Sequence, residues 1–204
     1  MRGVLSCIAL GMSAQAVSAQ SAYHPPPPGT LLTWSYNFDG DSFTRLSEIV
    51  AIGEDFVIYQ PDIRYTARNS SQFVVEFSGV HAQTCNQPLP ADEDRLALSS
   101  LWPLVPGASV SVKGGASPSQ YLVQERASVT FPAFAQFESE AMRIQGQVGE
   151  AEVQLIVSDE HSIPISMVWS EGNVGRVIEM IEPNGQPGEA VDLSSLGYCA
   201  GLLQ

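Results

Sequence analysis

Basic side chains are scarce in this sequence. Its 204 residues carry nine Lys and Arg against 22 Asp and Glu, a formal charge of −13, and the only lysine is Lys113. A surface this acidic repels phosphate backbones and anionic head groups, which argues against nucleic-acid binding and against membrane attachment through a basic patch. Histidine is scarce too, with three copies. No Gly-x-Ser-x-Gly elbow, Walker loop, dinucleotide fingerprint or His-Glu-x-x-His motif occurs. The common sequence routes to acyl transfer, nucleotide handling and zinc hydrolysis are therefore missing. No apolar run is long enough to span a bilayer as a permanent helix.

What is present begins with the three parts of a secretory signal over residues 1–19. Arg2 is the only charge, Val4 to Met12 is the apolar run, and Val17-Ser18-Ala19 is a small-residue cleavage site. The expected location is the periplasm or the cell exterior, with no transmembrane segment left after cleavage. Cys7 would leave with the signal, so two of the three cysteines remain, Cys85 and Cys199. In an exported protein such a pair predicts a disulfide. It would close a loop of about a hundred residues, worth roughly 4–5 kcal/mol in the chain-entropy picture. The sharper reading, a metal site, has His81 four residues before Cys85 but no His or Cys near Cys199.

Residues 20–29 end in four prolines, Pro25 to Pro28, followed by Gly29, a composition that predicts a stiff polyproline II spacer. Residues 30–204 read as one β domain. Leu32, Trp34, Tyr36 and Phe38 share one face of a first strand, Asp39-Gly40-Asp41 turns the chain, and Phe43 to Ile52 runs back. Further strands are expected at Phe56–Gln60, Phe73–Phe77, Ser109–Lys113, Gln120–Thr130, Phe137–Gln147, Ala151–Ser158, Ile163–Ser170 and Val174–Glu182. Loops are expected at Tyr65–Ser71, Phe131–Phe134 and Asn184–Gly188. The last two of the predicted strands form a hairpin through Glu171-Gly172-Asn173, with Trp169 near its tip.

The one helix is predicted between Pro90 and Trp102, with acids in its first turn, Pro103 as its stop, and Leu96, Leu98, Leu101 and Trp102 as its apolar set. Short alternating runs and tight turns, with no room for crossover helices, predict a mainly β fold. The expected form is a curved antiparallel half-barrel or β-sandwich of about nine to eleven strands. Several late strands are apolar on both faces: Val153, Leu155 and Val157 oppose Ile156, and Val174, Ile178 and Met180 oppose Val177 and Ile181. Such a sheet needs cover on both sides, from its own curl, the helix, a ligand or another chain.

Chemistry-bearing clusters are few. Asn37-x-Asp39-Gly40-Asp41 has its glycine too early for a calcium loop, and Asp92-Glu93-Asp94 reads as helix-start acids rather than a metal site. His81 is the one histidine expected to be held firmly; as a general base it would need an orienting carboxylate and a nucleophile. No cofactor or metal is expected. Trp34, Tyr36, Trp102 and Trp169 are the candidate lining residues of a binding face, with core packing as the alternative for each.

Leu101-Trp-Pro-Leu-Val-Pro-Gly107, the segment Val129-Thr-Phe-Pro-Ala133, and Trp169-Ser-Glu-Gly-Asn-Val-Gly175-Arg-Val177 follow one another in an order that resembles the C-terminal half of uncharacterised bacterial envelope proteins. The resemblance covers Leu101 to Glu182 and departs at the middle motif, where Phe134 stands in place of a glycine. It implies a periplasmic half-barrel and no catalytic site. The expected role is a non-catalytic binder or scaffold whose partner is an apolar small molecule, a lipid or an envelope protein. The alternatives are a secreted hydrolase using carboxylates and His81, and a structural dimer.

Overall fold

Alternation of apolar and polar residues decides most of the architecture. The computed structural model describes residues 22–61, 73–130, 138–183 and 192–204. The signal expected over residues 1–19 and the loops expected at 65–71, 131–134 and 184–188 lie outside the described residues. The first half of the sheet comprises β1 (Leu31–Phe38), β2 (Asp41–Ile52), β3 (Phe56–Pro61), β4 (Val74–Phe77) and β5 (His81–Thr84). The second half comprises β6 (Ser109–Val112), β7 (Ser119–Thr130), β8 (Glu138–Val148), β9 (Ala151–Ser158), β10 (Pro164–Trp169) and β11 (Val174–Ile181). Between the halves lies α1 (Asp92–Ser99).

All eleven strands belong to one antiparallel sheet of order β5-β4-β3-β2-β1-β11-β10-β9-β8-β7-β6. The protein is therefore a curled half-barrel of a single sheet, not a sandwich of two. Every neighbouring pair is consecutive in sequence except β1 and β11, which join the two meanders from Leu31↔Ile181 to Asn37↔Val174. Register shifts at Thr33/Trp34, Ile49/Ala51, Val123/Arg126 and Pro164/Ser166 bend the strands, as an extra residue on one strand of a pair does.

The curl is filled by the sheet's own N-terminal end. Phe56, Ile58, Val75 and Phe77 pack in one core with Val110, Tyr121, Ile144 and Leu155 of the second half. The opposite face of β3 supplies Val57 and Tyr59 to a second core with Leu32, Trp34, Ile165 and Val177. Strands β3 and β4 are thus buried on both sides. Two-sided cover was also expected for β9 and β11. Ile156 and Met180 do pack against the second core, whereas Ile178 is only half-buried and Ile181 is exposed, so the cover of β11 is incomplete.

Strand β5 is absent from the sequence-based expectation. His81 and Gln83 point inward and Ala82 outward, which inverts the usual apolar pattern. The signal that marks it is Ser78-Gly79, where both residues have positive φ (53° and 73°) in the three-residue turn between Phe77 and His81, closed by the Val80 N–H donating to the Phe77 carbonyl at 3.1 Å. Gly79 has a second constraint. A Cβ there would lie 2.6 Å from the Ser162 carbonyl oxygen, so only glycine lets the β4–β5 turn meet the β9–β10 turn.

Helix α1 forms where predicted but stops at Ser99, leaving Leu101 and Trp102 beyond it. Leu98 is buried, whereas Leu96 is 70% exposed and is not part of the apolar face. Of the first-turn acids, Asp94 is buried, and its Oδ2 accepts the backbone N–H groups of Lys113 (3.2 Å) and Gly114 (2.8 Å). It fastens the helix to the β6–β7 turn.

Cys85 and Cys199 are disulfide-bonded across 114 residues, with Cα atoms 5.3 Å apart. The bridge holds the 3-10 segment Gly197–Leu203 against the end of β5, and Tyr198 N–H donates to the Cys85 carbonyl at 2.9 Å. The proline segment also lies on the body. Pro26 is buried, Gly29 N–H donates to Ile49 O, and His24 N–H donates to Ser162 Oγ at 2.8 Å. Residues 22–29 form a strap laid across the second core's end of the sheet.

Candidate functional site

Three of the four candidate aromatics converge at one end of the curl, where the tips of the β1–β2 and β10–β11 hairpins meet. Asp39 N–H donates to Asn173 Oδ1 at 3.0 Å and ties the two tips together. Alternation on β1 sends Trp34, Tyr36 and Phe38 to the inner face, and the register Tyr36↔Phe43 places Phe43 beside them. Trp169 arrives from the end of β10, its ring centroid 5.2 Å from that of Phe38.

These groups line an open cleft of about 400 Å³ formed by Tyr36, Phe38, Phe43, Arg45, Met167 and Trp169. Trp34 is buried and stacks on Tyr36 at 5.9 Å, so it forms the floor rather than the wall. Tyr36 in turn stacks on Phe43 at 5.4 Å. Arg45 lies over Phe43 at 5.2 Å and over Tyr36 at 6.0 Å, both within cation–π range. Burial pushes the Tyr36 phenol up, and the Arg45 guanidinium partly offsets this. The Tyr36 phenol therefore stays protonated at neutral pH. The cleft is an apolar, aromatic wall with one fixed positive charge.

Gly175 makes the arrangement possible. It pairs with Tyr36 on one side and Met167 on the other, and its missing side chain leaves room for the Tyr36 ring to lie on the backbone. The last glycine of the Trp169–Val177 motif thus has a packing reason.

Trp102 is elsewhere. Its Nε1–H donates to the Ser78 carbonyl at 2.9 Å, and its ring meets Tyr23 edge-on at 5.8 Å, so it anchors the strap. Phe38, Phe43, Arg45 and Met167 were not singled out from the sequence. The hairpin register across Asp39-Gly40 was the available signal for the first three.

Titratable side chains are also buried away from the cleft. His81, 2% exposed, has its Nδ1 3.0 Å from the Tyr121 hydroxyl, and its Nε2 has no partner among the described residues. Burial lowers its pKa against smaller opposing effects of Gln83 and Asp94. A neutral imidazole sealed in the core, with Asp94 occupied by backbone N–H groups, is not placed to take a proton from a substrate arriving from solvent. Glu76 is buried on the opposite face, where Tyr59 O–H donates to its Oε1 at 3.3 Å. Burial pushes its carboxyl up to about 8, and the Tyr59 hydrogen bond offsets only part of that. The neighbouring Tyr23 hydroxyl has no partner among the described residues.

Among the described residues, no group of three or more His, Cys, Asp or Glu is placed to hold a metal ion. No described helix is long and apolar enough to cross a membrane. Compared with protein-family models, curated proteins and solved structures, the chain gives no match.

Proposed function

We propose that this is an exported bacterial envelope protein with a non-catalytic binding role, using the aromatic cleft at the open end of its curled sheet. The observation that carries this reading is the cleft itself: about 400 Å³ walled by Tyr36, Phe38, Phe43, Met167 and Trp169. That volume lies within the range typical of small-molecule sites, and the predominance of aromatic walls is what such sites share. Phe43 is 37% exposed, so apolar surface remains for a ligand to cover.

Export is supported by the signal-like residues 1–19, the Cys85–Cys199 disulfide and the resemblance of Leu101–Glu182 to envelope half-barrels. A disulfide persists in an oxidising compartment. The burial of His81 favours binding over hydrolysis. The test is titration of the mature protein with the neutral apolar fluorophore N-phenyl-1-naphthylamine. Probe fluorescence should rise with concomitant quenching of tryptophan emission in the parent and fall sharply in Trp169→Ala. A folded parent that leaves the probe unperturbed would end the reading. N-terminal sequencing of protein from the cell envelope should begin at Gln20.

A further inference from the structure

We infer that the ligand of this cleft is an amphiphile with one anionic head group, its tail on the aromatic wall and its head on Arg45. The inference rests on the cleft being the binding site, and it adds the ligand's charge and shape.

Arg45 is the only charged side chain among the six that line the cleft. Of the other described arginines, three are matched to carboxylates, Arg95 to Asp55 at 2.8 Å, Arg126 to Asp159 at 3.1 Å and Arg143 to Glu125 at 3.5 Å, and Arg176, which is not, lies outside the cleft. Arg45 has no carboxylate partner among the described residues. It is exposed, and it rests on the faces of Phe43 and Tyr36. In a chain with 22 acids and nine bases, a cation left without an acid beside an apolar wall is a distinct local field. A guanidinium lying on aromatic rings still presents N–H donors at its edge, and their fork geometry matches a carboxylate or other oxyanion.

The remaining polar groups on the wall narrow the class. Only the Tyr36 hydroxyl and the Trp169 indole N–H can hydrogen-bond there, too few to read a hydroxyl-rich sugar. A cationic ligand would meet Arg45 as a like charge. A cleft of about 400 Å³ lies at the small end of the range for small-molecule sites, which suits a single short alkyl chain. A straight-chain carboxylate fits all three constraints.

The experiment is calorimetric titration of the mature protein with dodecanoate, dodecan-1-ol and dodecyltrimethylammonium, each below its micellar concentration. Dodecanoate should bind about five- to tenfold tighter than dodecan-1-ol, a preference that shrinks as salt is raised. In Arg45→Gln the ratio of dodecanoate to dodecan-1-ol affinity should fall to about one, while Trp169→Ala should weaken binding of both and keep the ratio. Equal binding of the carboxylate and the alcohol, or tightest binding of the ammonium, overturns the head-group inference and leaves the cleft reading standing. Binding of none of the three by folded protein overturns both. A dimer in sedimentation that Phe43→Glu dissociates would show a second copy on the wall and overturn the amphiphile.

Discussion

The Tyr36 ring lies directly on the backbone of Gly175: a Cβ at that glycine would sit 2.8 Å from Tyr36 Cε1. A side chain at position 175 must therefore push the ring outward into the cleft. Gly175→Val is expected to destabilise the fold by about 1–3 kcal/mol, as overpacking does, and to abolish binding of apolar probes. Thermal unfolding and probe titration check the two effects separately. Unchanged binding in Gly175→Val would mean that Tyr36 is not a wall of the site.

Trp102 separates packing from binding. Trp102→Phe keeps a ring against Tyr23 but loses the Nε1–H bond to Ser78 O. The expected cost is about 1 kcal/mol, with the loss of a carbonyl partner as its cause. Ligand affinity should not change, because the side chain lies outside the cleft. A loss of affinity comparable to that of Trp169→Ala would contradict the placement of the site.

The disulfide predicts a large stability effect. Replacing Cys85 and Cys199 with serine together reopens a 114-residue separation, for an expected loss of about 3–5 kcal/mol in guanidinium unfolding. The 3-10 segment Gly197–Leu203 should become the first part of the chain to exchange its amide hydrogens.

Glu76 predicts how stability depends on pH. Its carboxyl is raised from 4.5 to about 8 in the fold, so the folded protein holds a proton that the unfolded chain releases. That contribution is complete below about 4.5 and is lost as pH rises toward 8, at up to roughly 1.4 kcal/mol per pH unit. His81 has the opposite slope. Its pKa is lowered, so its contribution is lost as pH falls below the ordinary value of 6.5. Between 6.5 and 8 the Glu76 effect stands alone, and urea midpoints should decline there. In Glu76→Gln the decline should vanish. A parent whose midpoint stays flat over that interval would show that Glu76 is ionised in the fold.

What was legible in the sequence follows from where each residue's partner lies. Strand β1 and its partner β2 could be read because Leu32, Trp34, Tyr36 and Phe38 alternate beside a turn, and both causes are local. Asp92 and its neighbours marked the helix start for the same reason. Strand β5 was hidden because His81 and Gln83 are polar residues facing inward, and the partner that draws His81 inside, Tyr121, lies 40 residues away. The two-sided apolar pattern was visible, but which strands the curl would enclose depends on how far the sheet rolls. That is a property of four register shifts and not of any one segment. Of the cleft, Trp34, Tyr36 and Trp169 were named on aromatic character alone. Arg45 was not, because a lone arginine two residues from Phe43 has no apolar character to mark it, and its role shows only once the hairpin sets it opposite Trp34 and beside Tyr36.

The pairing of β1 with β11 has a consequence for how the molecule comes into being. If the chain emerges amino end first, its opening five strands can zip as a local meander, yet β1 keeps one hydrogen-bonding edge bare until the last strand arrives. The central seam is then the final one to seal, and long-range closure of this kind is slow. For that interval the nascent protein presents an open ladder at its middle, the place where a chaperone would have most to protect.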